Sequence, residues 1–200
     1  MLVRFVAQAG KGNDVERMLA TSLPWAVSEP GTAAWFGIRF GRDEFGIVDA
    51  FPDEAARDAH LRGPVARALK PCITELFVGA PTINHFDVLA DKLPNGTAPE
   101  TADTKGLLLT FLPKIGKEAE VAELLQSAKP LVEEEAGTTA WFAIHLDDGR
   151  YGIFDVFPDS GARFFHLVGH VPRELAKHAP TLLGSLPDPD LVTVVAEKLS

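Results

Sequence analysis

GTAAWFGIRFGRDEFGIVDAFPDEAARDAHLRG, residues 31–63, lies without a gap over GTTAWFAIHLDDGRYGIFDVFPDSGARFFHLVG, residues 137–169. The offset is 106 residues, and it carries on to VLADKL (88–93) over VVAEKL (194–199). Upstream, Phe5, Gly10, Lys11, Val15, Leu19 and Pro24 fall on Phe111, Gly116, Lys117, Val121, Leu125 and Pro130. From Gly31 to Leu93 roughly 40% of positions are identical, which marks an internal repeat rather than chance. The chain therefore reads as repeat 1 over residues 1–93, a linker over 94–105 and repeat 2 over 106–200. The linker reading rests on Pro94, Asn95, Gly96, Pro99 and neighbouring polar residues without apolar periodicity.

Each copy reads β-α-β-β-α-(α)-β. A short apolar strand covers 2–9. A helix follows, with Val15, Met18, Leu19, Ser22, Leu23 and Ala26 at helical spacing. Asn13 and Glu16 have the spacing of a capping box. Pro24 and Pro130, at equivalent places, predict a kink in both first helices. Strands at about 33–40 and 45–51 follow, with a tight turn at Arg42-Asp43, or Asp148-Gly149 in repeat 2. Asp53 and Asp159 are placed to cap the second helix. A third, short helix is expected near 72–78 and a last strand near 84–91. This order is that of a ferredoxin-like α+β unit with helices on one sheet face. Two such units in one chain can cover each other's bare faces, as an intramolecular dimeric α+β barrel. The expected minimal unit is thus one chain, a monomeric pseudo-dimer, with higher oligomers left open.

A two-residue turn fixes a register. It sets Phe40 opposite Phe45, Ile38 opposite Ile47 and Phe36 opposite Asp49, with Phe142, Ile144, Leu146, Tyr151, Ile153 and Asp155 sharing a face in repeat 2. Asp49 and Asp155 then sit on apolar faces, where an unpartnered carboxylate is costly. His60 and His166, on the helix that follows, are the partners nearest in sequence. Trp35 and Trp141 have small neighbours, Gly37 and Gly46 or Ala143 and Gly152, as in the wall of a small cavity. Arg39 and His145 occupy equivalent positions near the hairpin end.

The composition bounds the function. Nineteen Lys and Arg against 28 Asp and Glu give a net charge of −9, which argues against nucleic-acid or anionic-membrane partners. Cys72 is the single cysteine, so no intrachain disulfide forms. No signal peptide or membrane-spanning apolar run is evident, and the expected location is the cytoplasm. No phosphate-binding glycine loop is present. His166 and His170 have the i, i+4 spacing of two metal ligands on one helix face. Repeat 1 has Pro64 in place of His170 and no third ligand is obvious, so no metal is expected.

Glu29-Pro30-Gly31-Thr32, the aromatic pair and the run FGIVDAFPDEAARDAHL, matched in repeat 2 by YGIFDVFPDSGARFFHL, resemble the antibiotic biosynthesis monooxygenase family. The resemblance implies the dimeric α+β barrel fold. It also implies cofactor-independent oxygenation of a small aromatic or hydrophobic molecule, such as a quinol or phenol. Carried over by position, Asp49, His60, Asp155 and His166 become the catalytic candidates. Trp35, Trp141, Arg39, His145 and Tyr151 become the substrate-binding ones. In that reading a carboxylate orients a histidine that takes a proton from the substrate. The alternatives are a non-catalytic ligand-binding or stress-related barrel that holds a small hydrophobic molecule, and a heme-binding or heme-degrading protein using His60 or His166. A buried Asp–His clamp and simple Trp packing are the structural alternatives at the residues themselves.

Overall fold

A computed structural model of the chain describes residues 1–94 and 103–199. In chain order the elements begin with β1 (Leu2–Val6), α1 (Gly12–Val27), β2 (Ala34–Arg39), β3 (Glu44–Ala50), α2 (Glu54–Leu61), α3 (Pro64–Leu76), β4 (Thr82–Asn84) and β5 (Phe86–Lys92). They continue with β6 (Lys105–Phe111), α4 (Glu118–Ser127), α5 (Lys129–Glu134), β7 (Ala140–Leu146), β8 (Tyr151–Phe157), α6 (Ser160–Leu167), α7 (His170–Leu182) and β9 (Asp188–Leu199). The fold is α+β, built from two like ferredoxin-like units. Of the linker expected at 94–105, residues 95–102 lie outside the described residues, and Lys105 already opens β6.

The compact units divide at 84/85 and 192/193 rather than at the ends of the repeats. Unit 1 is Met1–Asn84 with Thr193–Ser200, and unit 2 is His85–Val192. Each repeat gives its last strand to the other unit. In unit 2, β5 of repeat 1 runs antiparallel to β7, pairing Ala90 with Ala143 and Lys92 with Trp141. In unit 1, the end of β9 runs antiparallel to β2, pairing Ala196 with Gly37 and Lys198 with Trp35. The two ladders are equivalent at the 106-residue offset. Periodicity announces a strand, but not which edge it joins.

The hairpin register differs from the sequence reading by one residue. Trp35 lies opposite Asp49, Phe36 opposite Val48 and Gly37 opposite Ile47. In unit 2, Trp141 lies opposite Asp155 and His145 opposite Tyr151. The turns are three residues long, not two. Leu146 N–H bonds the carbonyl of Arg150, and Gly149 takes φ +85° as the third turn residue. That is a type I turn closed by a left-handed glycine. The extra residue moves every side chain of one strand relative to the other. Asp155 thus shares its face with Trp141, Ala143 and Ile153, and Asp49 with Trp35, Gly37 and Ile47. Gly46 and Gly152 fall on the opposite face and are not neighbours of the tryptophans.

Helices cover the Trp–Asp face of each unit. In unit 1, Val15, Leu19 and Ala26 of α1 and Val65 of α3 pack with Trp35, Phe45 and Ile47. In unit 2, Val121, Leu125, Val132, Val171 and Leu175 pack with Trp141, Tyr151 and Ile153. The prolines act differently in the two copies. Pro24 sits inside the continuous α1, whereas repeat 2 breaks after Ser127 and restarts with Pro130 in the first turn of α5, where its missing N–H does no harm. No side chain caps α1. Glu16 is engaged by Arg39 instead (Nη1 to Oε2, 2.9 Å), so the expected capping box does not form. Asp53 and Asp159 do cap α2 and α6, each accepting an N–H at 2.8 Å. The third helix is longer than expected, Pro64–Leu76.

Candidate functional site

Each unit buries a cluster of two carboxylates and one histidine between sheet and helices. In unit 2, α6 carries His166. Its Nδ1 donates to Glu135 Oε2 (2.7 Å), and its Nε2 lies 3.6 Å from Asp155 Oδ1. In unit 1, His60 Nδ1 donates to Glu29 Oε2 (2.5 Å), with Nε2 3.3 Å from Asp49 Oδ2. Thr138 and Thr32 donate to the same glutamate oxygens, at 3.0 and 3.1 Å. Asp155 is wholly inaccessible and His166 is 5% exposed. The carboxylate oxygens of Asp49 and Asp155 have no hydrogen-bond partner among the described residues. The Asp–His approach expected from sequence is present in both units as a close contact without hydrogen-bond geometry.

The glutamates were not legible as site residues. Glu29 and Glu135 stand just past the C-terminal ends of α1 and α5, where the sequence pattern marks no more than a helix end. Yet both glutamates recur at the 106-residue offset, which was the available signal. A close approach at Gly63 and Gly169 makes room for them. A Cβ on Gly63 would lie 2.4 Å from Glu29 Oε1, and one on Gly169 would lie 3.3 Å from Glu135 Oε1. Glu29 Oε1 also accepts the N–H of Val65 at 3.4 Å, on the first turn of α3, where a carboxylate is favoured. The exchanged strands complete each cluster. Lys92 Nζ donates to the carbonyls of Val132 and Glu135 (2.8 and 2.7 Å), and Lys198 Nζ to that of Glu29 (2.7 Å).

The clusters differ electrostatically. Burial pushes Asp155 up to about 7; the nearby His166 counteracts this and Glu135 adds to it. In unit 1 the α-ammonium of Met1 lies 3.1 Å from Asp49 Oδ1. The position equivalent to Met1 in repeat 2 is Leu107. Burial alone would lower the pKa of His60, but the Asp49 carboxylate close by and the hydrogen-bonded Glu29 raise it.

In unit 2 the cluster opens on a cleft of about 400 Å³. Its apolar wall includes Leu107, Leu109, Val171, Pro172, Leu175 and Ala179, and among the described residues its only ionisable lining groups are Asp155 and His166. On the far side of His166, Glu135 and Thr138 line a second hollow of about 510 Å³. His166 thus joins the apolar cleft to a more polar one.

The remaining candidates lie elsewhere. Trp35 and Trp141 are fully buried in their units' cores, each indole N–H without a hydrogen-bond acceptor among the described residues. Arg39 is half-exposed in its ion pair with Glu16. His145 stacks on Tyr151, centroids 4.4 Å apart. Trp141, His145 and Tyr151 are not among the residues that line the cleft. His166 and His170 do not share a helix face, because α6 ends at Leu167 and α7 begins at His170. Among the described residues no group of three or more His, Cys, Asp or Glu side chains is arranged to hold a metal ion. Both nitrogens of His60 and of His166 face carboxylates, so neither histidine has a nitrogen free for heme iron. No described helix is long and apolar enough to cross a membrane.

No protein-family model matches the sequence, and no curated protein does. Solved structures do share the fold. A proposed monooxygenase from Fusobacterium nucleatum superposes with a TM-score of 0.89 at 15% identity, over 100% of this chain and 93% of its own. A second from Lactobacillus acidophilus gives 0.83 at 12% identity, over 99% and 94%. An anthrone oxidase-like protein gives 0.63 at 9% identity, over 98% and 91%. At these identities the likeness is one of fold.

Proposed function

We propose that the chain is a cofactor-independent monooxygenase acting on a small aromatic or hydrophobic molecule, a quinol, phenol or anthrone. The observation that carries this reading is the unit 2 cleft: an apolar enclosure with one carboxyl and one histidine as its ionisable groups. Asp155 lines the cleft with its carboxyl closed to solvent, so ligand entry must uncover it before it takes a proton. His166 stands behind it, held by Glu135, since both of its nitrogens are already engaged. This reassigns the proton-taking step from the histidine to the carboxylate. A base poised near 7 is matched to proton transfer at neutral pH.

The substrate's acidic O–H or C–H gives its proton to ionised Asp155. The resulting anion is electron-rich enough to pass an electron to O₂. One oxygen atom enters the product and the other leaves as water, the substrate supplying both electrons. The cleft excludes water from the anion, which strengthens its interaction with the His166 side of the site. The fold shared with an anthrone oxidase-like protein supports anthrone as the first compound to try. With anthrone in air-saturated buffer, free of flavin and metal, oxygen uptake should exceed the protein-free rate, with one labelled atom from ¹⁸O₂ in the product. Uptake equal to the protein-free rate refutes the reading.

A second reading is a non-catalytic binder with buried clamps. It is favoured by the recurrence of the Glu–His–Asp arrangement in unit 1.

A further inference from the structure

We infer that the two units have parted in function. The unit 2 cleft takes one neutral, two- or three-ring aromatic molecule, and the equivalent place in unit 1 takes none. Ala176 and Ala179 against Lys70 and Ile73 decide the difference. The inference rests on the cleft being a ligand site, and not on any oxygen chemistry there.

The helices that flank the two places match. α3 and α7 are each 13 residues long, and each follows an extended glycine, Gly63 or Gly169. At the 106-residue offset, Ala176 falls on Lys70 and Ala179 on Ile73. Ala176 and Ala179 line the cleft in unit 2. In unit 1, Ile73 packs against the core cluster that holds Trp35, Phe45 and Ile47. Its side chain carries three more carbons than alanine, at the place that alanine leaves open. Lys70 is exposed at the position of Ala176, and a long cationic side chain there stands over the mouth rather than beside it.

The size and charge of the cleft choose the ligand class. About 400 Å³ suits a small drug-sized molecule. The two ionisable groups inside are backed by the Glu135 carboxylate. A ligand carboxylate or sulfonate would have to shed its water against an apolar wall with no Lys or Arg among its lining residues, which is costly. Burial holds Asp155 protonated up to about 7, so the cleft accepts an uncharged ring system.

The test uses N-phenyl-1-naphthylamine, a neutral probe that fluoresces in apolar sites, titrated into the full chain and checked by calorimetry. One equivalent per chain is expected, with the anionic 1-anilinonaphthalene-8-sulfonate at least tenfold weaker. Ala179→Ile should lower affinity at least tenfold with an unchanged far-UV circular dichroism spectrum. If that variant does not fold, Ala176→Lys at the exposed mouth replaces it, with the same expected loss. The double variant Lys70→Ala, Ile73→Ala should gain a second equivalent. Two equivalents in the unaltered chain, none, unchanged affinity in the cleft variant, or no second site in the double variant overturns the inference. One equivalent without oxygen uptake from anthrone keeps it and overturns the oxygenase reading. Two equivalents with uptake do the reverse.

Discussion

Replacing Asp155 by Asn should change the slope of stability against pH more than its level. Asp155 is fully buried and faces His166 Nε2 at 3.6 Å, with Glu135 beyond the ring. Its carboxyl stands at about 7 against an ordinary 3.8. The folded-state pKa of this acid is raised, so the folded chain binds the proton more tightly than the unfolded chain. That contribution to stability is complete below 3.8 and is lost as pH rises towards 7. At about 1.4 kcal/mol per tenfold, lifting the acid from 3.8 to about 7 is about 4 kcal/mol. Asn keeps the shape and cannot ionise. Urea unfolding at pH 4.5, 5.5, 6.5 and 7.5 reads the difference. The unaltered chain should lose stability relative to Asp155→Asn by about 1 kcal/mol per pH unit across that range. Parallel curves would refute the assignment of a raised pKa to Asp155.

The remaining predictions concern the other cluster and the exchanged strand. His60 has a raised pKa, so its stabilisation is present below its unfolded value of 6.5 and fades as pH climbs through the folded one. His60→Gln should therefore cost about 3 kcal/mol at pH 5.5, from the unpaired buried carboxylates, and less at pH 8.5; chemical denaturation at both values checks it. Lys92→Met should cost about 1–3 kcal/mol, because the carbonyls of Val132 and Glu135 lose their donor. Lys198→Met, which leaves only the Glu29 carbonyl without this donor, should cost less; thermal melts of the two variants check both.

Much of this architecture is written in the repeat. Gly31–Gly63 over Gly137–Gly169 gives the duplication, the order of elements and the caps at Asp53 and Asp159. It also gives the pairing of Asp49 with His60 and of Asp155 with His166. The register was not legible, because Asp148-Gly149 can serve as the tip of a two-residue turn or as the end of a three-residue one. Only the left-handed φ of Gly149 decides. The strand exchange was not legible either, since VLADKL and VVAEKL can pair with either copy's hairpin at the same local energy. Glu29 and Glu135 were hidden by their place at helix ends, where a carboxylate ordinarily faces solvent. The cleft is lined chiefly by small and ring-closed residues such as Ala179 and Pro172, whose common trait is the space they leave, and periodicity does not report space.

The most direct measurement of the central claim is oxygen uptake by Asp155→Asn with anthrone, beside the unaltered chain. Asn keeps the cleft's volume and removes the base. If Asp155 takes the substrate proton, kcat falls by about a hundredfold or more while KM stays within a few-fold, and Asp49→Asn in unit 1, if folded, leaves kcat unchanged. An Asp155→Asn chain that consumes oxygen at the unaltered rate would contradict the account.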